Sequence, residues 1–371
     1  MKTEIHIGKP VIGKDLIGRE EEIKLIMQTV LEGQSIVLIA PRRFGKTSLL
    51  LEVLRRLKNK AYYTCYVDLF STPTLALLSE QITENVLANK KLSRAFNTFR
   101  RNIEYLLKNI QFKHVVEDNE FLLSFAGEKR DEFQLIQDSI DFIDRFALQN
   151  NKNIIVGLDE FGELPKLNGE KLVKLFRSKL QLQKNSTYIF SGSCESVMSQ
   201  IFISTKSPFY RFARIINLHY IDKRPFQDHI IKKLNENNLT ISNEGTKHML
   251  DFSCGHPYYT QLILRQIILS KIKKIEVKQV KDVIDSLLNM EINYLEKYWE
   301  ELSRSRENIA VLLEIAKNEP SIYANLDIKK INVSRALKNL LNNGAINKLN
   351  DNYQFNDPLL HYWIRRKILR I

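Results

Sequence analysis

Along residues 1–220, apolar runs bounded by polar turns recur at SIVLIA, YYTCYVDL, NIIVGLD, TYIFSGS and RIINLHY. Helix-length amphipathic segments lie between most of them, an alternation that predicts a mostly parallel β-sheet with helices on both faces. In the segment leading into NIIVGLD, Phe133, Ile136, Ile140, Ile143 and Ala147 recur at helical spacing, so one face of that helix is expected against the sheet. Residues 92–130 break the alternation and read as an insertion with short helices and an extended segment, to which the pattern assigns no task.

After about residue 221 the strand-like runs stop. RPFQDHIIKKLNENN, SNEGTKHMLDFSCGHPYYTQLILRQIILSKI and VKQVKDVIDSLLNMEINYLEKYWEEL read as helices separated by turn chemistry, which predicts a second, all-helical unit. Further on, RENIAVLLEIAKN and NVSRALKNLLNNG supply two more helices, followed by a short hairpin turning near NDN, an order that suits a winged helix. The expected units are residues 1–220, 221–302 and 303–371. In INVSRALKNLLNNG, Asn332 or Ser334 is the expected cap and Leu337, Leu340 and Leu341 the buried stripe, leaving Arg335 and Lys338 outward. Lys329, Lys330, Lys348, Arg365, Arg366, Lys367 and Arg370 add positive charge at the same end, which suits non-specific contact with duplex DNA phosphates.

A chain of 371 residues with 44% hydrophobic content can build more than one core. Its net charge of +13 suits a polyanionic partner without identifying one. No uninterrupted apolar run reaches the roughly 18 residues of a membrane span, and MKTEIHIGKPVIGKD lacks the basic start and apolar core of a signal peptide. No membrane partner and a cytoplasmic location are therefore expected. Cys65, Cys194 and Cys254 are far apart, without disulfide or metal-ligand spacing. Two of them fall in apolar or small-residue settings, which predicts buried structural thiols.

Candidate chemistry begins at SIVLIAPRRFGKTSLL, where GxxxxGK(S/T) between a strand and a helix is the pattern of a phosphate-binding loop. The expected nucleotide contacts are Ala40, Pro41, Arg42, Arg43, Phe44, Gly45, Lys46, Thr47 and Ser48. Gly45 lets successive amides turn toward phosphate oxygens, Lys46 can reach the β- and γ-phosphates, and Thr47 offers a hydroxyl ligand for Mg²⁺. Ala40 stands where the pattern has its first glycine. Its Cβ matters only if the position needs a positive φ, which costs alanine roughly 1–2 kcal/mol, or presses on the phosphates. The second motif, NIIVGLDEFGEL, ends an apolar strand in Asp159 and Glu160. Asp159 is placed to hold Mg²⁺ through a water and Glu160 to act as catalytic base on the attacking water. A binding-only site is the alternative.

In order, LIGREEEI, APRRFGKTSLL, YVDLF, IVGLDEFGEL, YIFSGS, SPFYRFARIINL, CGHPYYTQL and DPLLHYWIRR cover nearly the whole chain. This set resembles the archaeal-type ATPases of the P-loop AAA+/STAND group. The resemblance implies an α/β P-loop NTPase fold of the ASCE/AAA+-like kind, a parallel sheet sandwiched by helices and followed by a helical lid and a winged helix. It implies ATP/ADP and Mg²⁺ as ligands, Gly18, Arg19 and Glu20 near the adenine, and Ser191 to Ser193 as a γ-phosphate sensor, with Ser193 at its tip. By the same resemblance Gly255, His256 and Pro257 form a GxP element with Pro257 beside base or ribose. Arg211 and Arg214 are candidates for the cation that stabilises transition-state charge, in cis or from a neighbouring subunit. No arginine stands beside the GxP, and Arg265 is the nearest later one. The expected function is an ATP-binding and ATP-hydrolysing switch, slow without a partner, with duplex DNA, a protein or a second copy as partner. The alternative is a replication-initiator or mobile-element type of DNA-binding protein in which ATP controls assembly rather than turnover.

Overall fold

The computed structural model describes residues 5–90, 111–114, 121–124, 131–193, 195–317, 331–349 and 352–371. In chain order the first strands are β1 (Ile36–Ile39), β2 (Tyr63–Asp68), β3 (Gln111–His114), β4 (Phe121–Ser124), β5 (Ile154–Asp159), β6 (Ser186–Gly192) and β7 (Arg214–Asn217). The five apolar runs of the sequence become one five-stranded sheet of order β2-β5-β6-β1-β7, with every pairing parallel. β3 and β4 pair antiparallel in the inserted stretch, apart from this sheet.

All positions of β1 and β5 are buried, as a parallel sheet covered on both faces requires. One face packs against helices Leu75–Leu87, Glu132–Gln149 and Leu164–Leu180. Ile136, Ile140, Ile143 and Ala147 are buried there with Phe133 half-buried beside them, as the helical spacing predicts. The other face takes helices Glu20–Leu31 and Lys46–Asn59. Gly157, in the middle of β5, lets the second of these lie close, since a Cβ there would stand 2.8 Å from Leu50 Cδ1. The helix that follows the glycine-lysine motif is thereby seated directly over the strand that ends in Asp159.

Beyond Ile221, helices Lys223–Glu236, Asn243–Ser253, Pro257–Ser270, Val277–Met290 and Ile292–Leu302 precede helices Arg306–Lys317 and Val333–Asn342. The expectation of an all-helical second unit needs correcting. β8 (Thr240–Ile241) and β9 (Lys274–Ile275) form a two-residue parallel bridge, because Thr240 and Ser242 donate their N–H groups to the carbonyls of Lys273 and Ile275. The predicted hairpin is β10 (Ile346–Leu349) against β11 (Asn352–Phe355); Asn350 and Asp351 lie outside the described residues, as do Lys329, Lys330 and Cys194. One continuous apolar cluster runs from Ile221 to Ile364.

Asn332 caps helix Val333–Asn342 by accepting the Arg335 N–H at 3.0 Å, while Ser334 sits inside the helix. Leu337 and Leu340 are buried, Leu341 is half-buried, and Arg335, Lys338 and Lys348 are exposed. The basic tail is partly consumed internally: Arg365 donates to the Ala316 carbonyl at 2.7 Å and Arg366 pairs with Asp285. Cys65 is buried, which pushes its thiol up to about 12, whereas Cys254 is exposed at a left-handed helix end, contrary to a shared buried role for the thiols. Among the described residues no helix is long and apolar enough to cross a membrane.

The two halves meet where Ile221 donates its N–H to the Gly255 carbonyl at 3.0 Å. Gly255 has φ +75°, and a Cβ on it would lie 2.2 Å from the Ile221 carbonyl oxygen, where only backbone can give way. Gly344 also has a positive φ, +68°, but has open space around it. Gly255→Ala should therefore cost clearly more stability than Gly344→Ala, whose cost is the left-handed penalty of roughly 1–2 kcal/mol. Urea unfolding of both variants checks this.

Candidate functional site

Parallel strands deliver their carboxyl ends to one edge of the sheet, and the loops leaving β1, β5 and β6 converge there. The loop after β1 turns through Arg43 at φ +66° and Gly45 at φ +84°. Helix Lys46–Asn59 then starts without any side-chain cap, leaving its first N–H groups and the positive end of its dipole toward the loop. Ala40 is not among the residues with positive φ. It is buried in the apolar cluster beneath the loop, so its methyl group is a core contact and carries no left-handed strain.

The cleft above this edge has a volume of about 810 Å³, within the range of ligand pockets. Arg42 through Ser48 line it, together with Tyr66, Asp68, Asp159, Glu160 and Ser193. Ala40 and Pro41, expected among the nucleotide contacts, do not line it. Their carbonyls instead each accept the Lys46 ammonium at 2.8 Å, which draws the lysine back along its own loop. The Ser48 hydroxyl accepts the Val11 N–H at 3.0 Å, so it is tied to the N-terminal segment.

Asp159 gathers donors from three directions. Thr47 Oγ1 lies 2.7 Å and the Tyr66 hydroxyl 3.1 Å from Oδ2, while Ser191 Oγ lies 2.5 Å and the Glu160 N–H 3.0 Å from Oδ1. Burial and the adjacent Asp159 push the Tyr66 phenol well up, so it stays a donor. Asp68 stands opposite Asp159 in the β2–β5 register, and burial beside Asp159 and Glu160 raises its carboxyl. Glu160 adopts a left-handed backbone at φ +48°, which costs a side-chain-bearing residue roughly 1–2 kcal/mol. Its Oε2 accepts the Ser193 hydroxyl at 2.8 Å and the Ser193 N–H at 3.2 Å.

One further wall comes from an N-terminal segment to which the sequence reading gave no role. Residues His6–Val11 and Asp15–Ile17 line one side. This segment is anchored to the loop helix by Ser48 and by Glu52, whose Oε2 accepts the Gly13 N–H at 2.9 Å. Hydrogen bonds from Arg55 hold the fully buried Glu52 carboxyl down at about 2 despite burial, with Arg56 and the Gly13 N–H assisting. A glutamate inside the apolar face of LLLEVLRRL was the legible signal for it.

The second unit contributes Ile221, Phe226, Pro257, Tyr258 and Gln261. Pro257 thus lines the cleft as expected, at the start of a helix capped by His256 Nδ1, which accepts the Tyr258 N–H at 3.2 Å. The Phe44 ring stands 4.6 Å from His256 and 5.1 Å from Tyr220, and the Arg43 guanidinium 4.4 Å from the centre of Tyr258. Burial pushes His256 down to about 3, with Arg43 nearby adding to the shift, so it packs as a neutral ring.

Other expected residues take different places. Arg19 lines the cleft but is buried, donating to the carbonyls of Phe44 at 3.3 Å and His219 at 2.8 Å. Gly18 does not line it; its φ is +62°, and a Cβ would strike Ile221 Cγ2 at 2.3 Å, so it serves close packing on the second unit. Arg211, Arg214 and Arg265 are exposed and outside the cleft. Arg211 lies over Tyr210 at 5.3 Å, and Arg214 reaches Thr29 at 3.4 Å. A cis role for Arg211 is therefore corrected: its turn directs it to the surface.

A hydroxyl and a carboxylate 2.7 Å apart beside a phosphate-binding loop are hard oxygen donors that suit Mg²⁺, which takes one or two protein ligands and completes its shell with phosphates and water. Among the described residues no group of three or more His, Cys, Asp or Glu side chains gathers for a metal, and a Mg²⁺ of that kind needs none.

Fold and loop together define a P-loop ATPase. The chain belongs to the family described as ATPase domains predominantly from Archaea, whose model matches residues 16–263. Among solved structures it is similar to the Walker-type ATPase PABY2304 of Pyrococcus abyssi, with a TM-score of 0.66 at 18% identity over 98% of this chain and 99% of that one. The Aeropyrum pernix ORC2 protein in its ADP form is similar in fold, with a TM-score of 0.53 at 12% identity over 94% and 92% of the two chains. No curated protein matches the chain.

Because Ala40 carries no positive φ, Ala40→Gly should shift ATP affinity by less than about tenfold, or roughly 1.4 kcal/mol. Titration calorimetry of the variant against wild type measures it.

Proposed function

We infer that the protein is a Mg²⁺-dependent, ATP-hydrolysing switch, and the observation that carries this reading is the contact of Thr47 and Asp159 at 2.7 Å with Glu160 strained beside them. Strain in a side-chain-bearing residue next to a buried carboxylate is a feature of working sites. On this reading the N–H groups of residues 42–47 and the Lys46 ammonium, released from the Ala40 and Pro41 carbonyls, bind the phosphates. A bound Mg²⁺, held by the Thr47 hydroxyl and by Asp159, would neutralise charge on the β- and γ-phosphate oxygens. Glu160 takes a proton from water as the water oxygen bonds to the γ-phosphorus and the bond to the ADP oxygen breaks, giving ADP and phosphate. Ser193 holds Glu160 through two hydrogen bonds and must loosen it for that step. Arg211, exposed on the surface, acts only on the cleft of a second copy.

The units we assign are an ATPase unit 1–220, a helical lid 221–302 and a winged helix 303–371. The apolar cluster shared from Ile221 to Ile364 supports the last two moving together. Nucleotide favours one arrangement only by its differential affinity for it. The contacts of Phe44 with His256 and of Arg43 with Tyr258 support a direct link from loop to lid.

A second reading, in which ATP controls assembly on duplex DNA, is favoured by the exposed Arg335, Lys338 and Lys348 near the hairpin end of the chain. Phosphate contacts of this kind weaken steeply with salt.

Steady-state ATP hydrolysis with nucleotide binding measured in parallel tests the first reading. Lys46→Ala should abolish binding, and Glu160→Gln should keep binding while cutting turnover at least about 10²-fold; unchanged turnover in Glu160→Gln removes it as the base. Duplex DNA added to the same assay separates the two readings. A rise in turnover lost in Arg335→Glu/Lys338→Glu couples the C-terminal unit to hydrolysis, whereas ATP-dependent DNA binding that survives Glu160→Gln favours control of assembly.

A further inference from the structure

One wall of the cleft holds a polar group that the phosphate chemistry does not use. Gln261 lines the cleft on helix Pro257–Ser270, one turn beyond Pro257, and its Oε1 is a buried acceptor with no partner among the described residues. Its Nε2 lies 3.2 Å from Nε2 of His229 on the neighbouring helix Lys223–Glu236. Burial pushes His229 down to about 4, with Lys233 contributing, so its ring is neutral near pH 7 and offers one N–H and one lone pair.

Where the base of a nucleotide would lie follows from the walls. β2, β5 and β6 supply the acids and hydroxyls around Asp159, while the N-terminal segment and second unit supply Leu16, Ile17, Ile221, Phe226 and Pro257. A flat aromatic base suits the second surface and a charged triphosphate the first. Among the apolar groups of that second surface, the Gln261 amide has one N–H left after His229 and an unused carbonyl. A glutamine amide is complementary to the amino group and adjacent ring nitrogen of adenine. Guanine offers a carbonyl and a ring N–H in their place. Meeting it would turn the amide over and set Oε1 against His229 Nε2, which demands the other imidazole tautomer.

We propose that Gln261, oriented by His229, reads the base of the bound nucleotide and selects adenine over guanine. This rests on the cleft being a nucleoside triphosphate site. Gln261 is then a specificity residue and His229 a positioning residue.

The test is equilibrium binding of ATP, GTP and inorganic tripolyphosphate, each with Mg²⁺, to wild type, Gln261→Leu, Gln261→Glu and His229→Phe. Wild type should prefer ATP to GTP, and Gln261→Leu should lower that preference by about 5- to 150-fold, the range of one bidentate amide–base pair. Tripolyphosphate affinity should not change, which also reports that the variant's phosphate site is folded. Gln261→Glu, with two acceptors and no donor, should weaken ATP selectively. His229→Phe should lower the preference without moving tripolyphosphate, a split that a merely structural role would not give. An ATP-to-GTP ratio unaltered in Gln261→Leu with tripolyphosphate binding intact overturns the proposal and leaves the phosphate-site reading standing. Failure of wild type to bind either ATP or tripolyphosphate overturns both.

Discussion

The buried carboxylate of Asp159 is the constraint around which this edge of the sheet is arranged. A buried charge is tolerated only when hydrogen bonds replace its water. Here the replacements come from the loop helix through Thr47, from β2 through Tyr66 and from β6 through Ser191. Each donor fixes one element relative to β5, so the group that organises the site also registers the elements that carry it. Gly157 below it completes the arrangement by letting helix Lys46–Asn59 descend onto the strand.

Next to this satisfied carboxylate sits an unrelaxed one. Glu160 keeps a left-handed backbone and is restrained by Ser193 from the end of β6. The contrast suits two roles, a fixed acceptor and a movable one. Both motifs that carry them were legible, because glycine, lysine, threonine and a strand-end acid pair are demanded by chemistry at set positions. The five strands were legible for a similar reason, since strands buried on both faces read as unbroken apolar runs. Their order in the sheet was not legible, because it depends on which neighbour each run meets.

What the sequence hid is equally physical. Residues 5–17 have no periodicity, so nothing local announced that they would wall the cleft; their anchors are backbone N–H groups on Ser48 and Glu52. Gln261 and His229 are ordinary polar residues on amphipathic helices until folding sets them side by side. The arginines of SPFYRFARIINL could not be divided between a role in cis and one from a neighbouring subunit, because a motif's order along the chain says nothing of where an exposed turn aims its side chains. Ala40 raised a steric question that only its φ could answer.

The N-terminal wall has a kinetic consequence. It reaches the loop helix through two hydrogen bonds, Val11 to Ser48 and Gly13 to Glu52. A bond to a neutral acceptor is worth about 0.5–1.5 kcal/mol net and one to a charged acceptor about 1.5–3. The segment is also held by Asp15, 3.5 Å from Lys233, and by the packing of Leu16 and Ile17, so lifting it breaks these contacts as well as the two hydrogen bonds. On the function proposed above, nucleotide exchange that needed this wall to lift would be slowed by all of these contacts together.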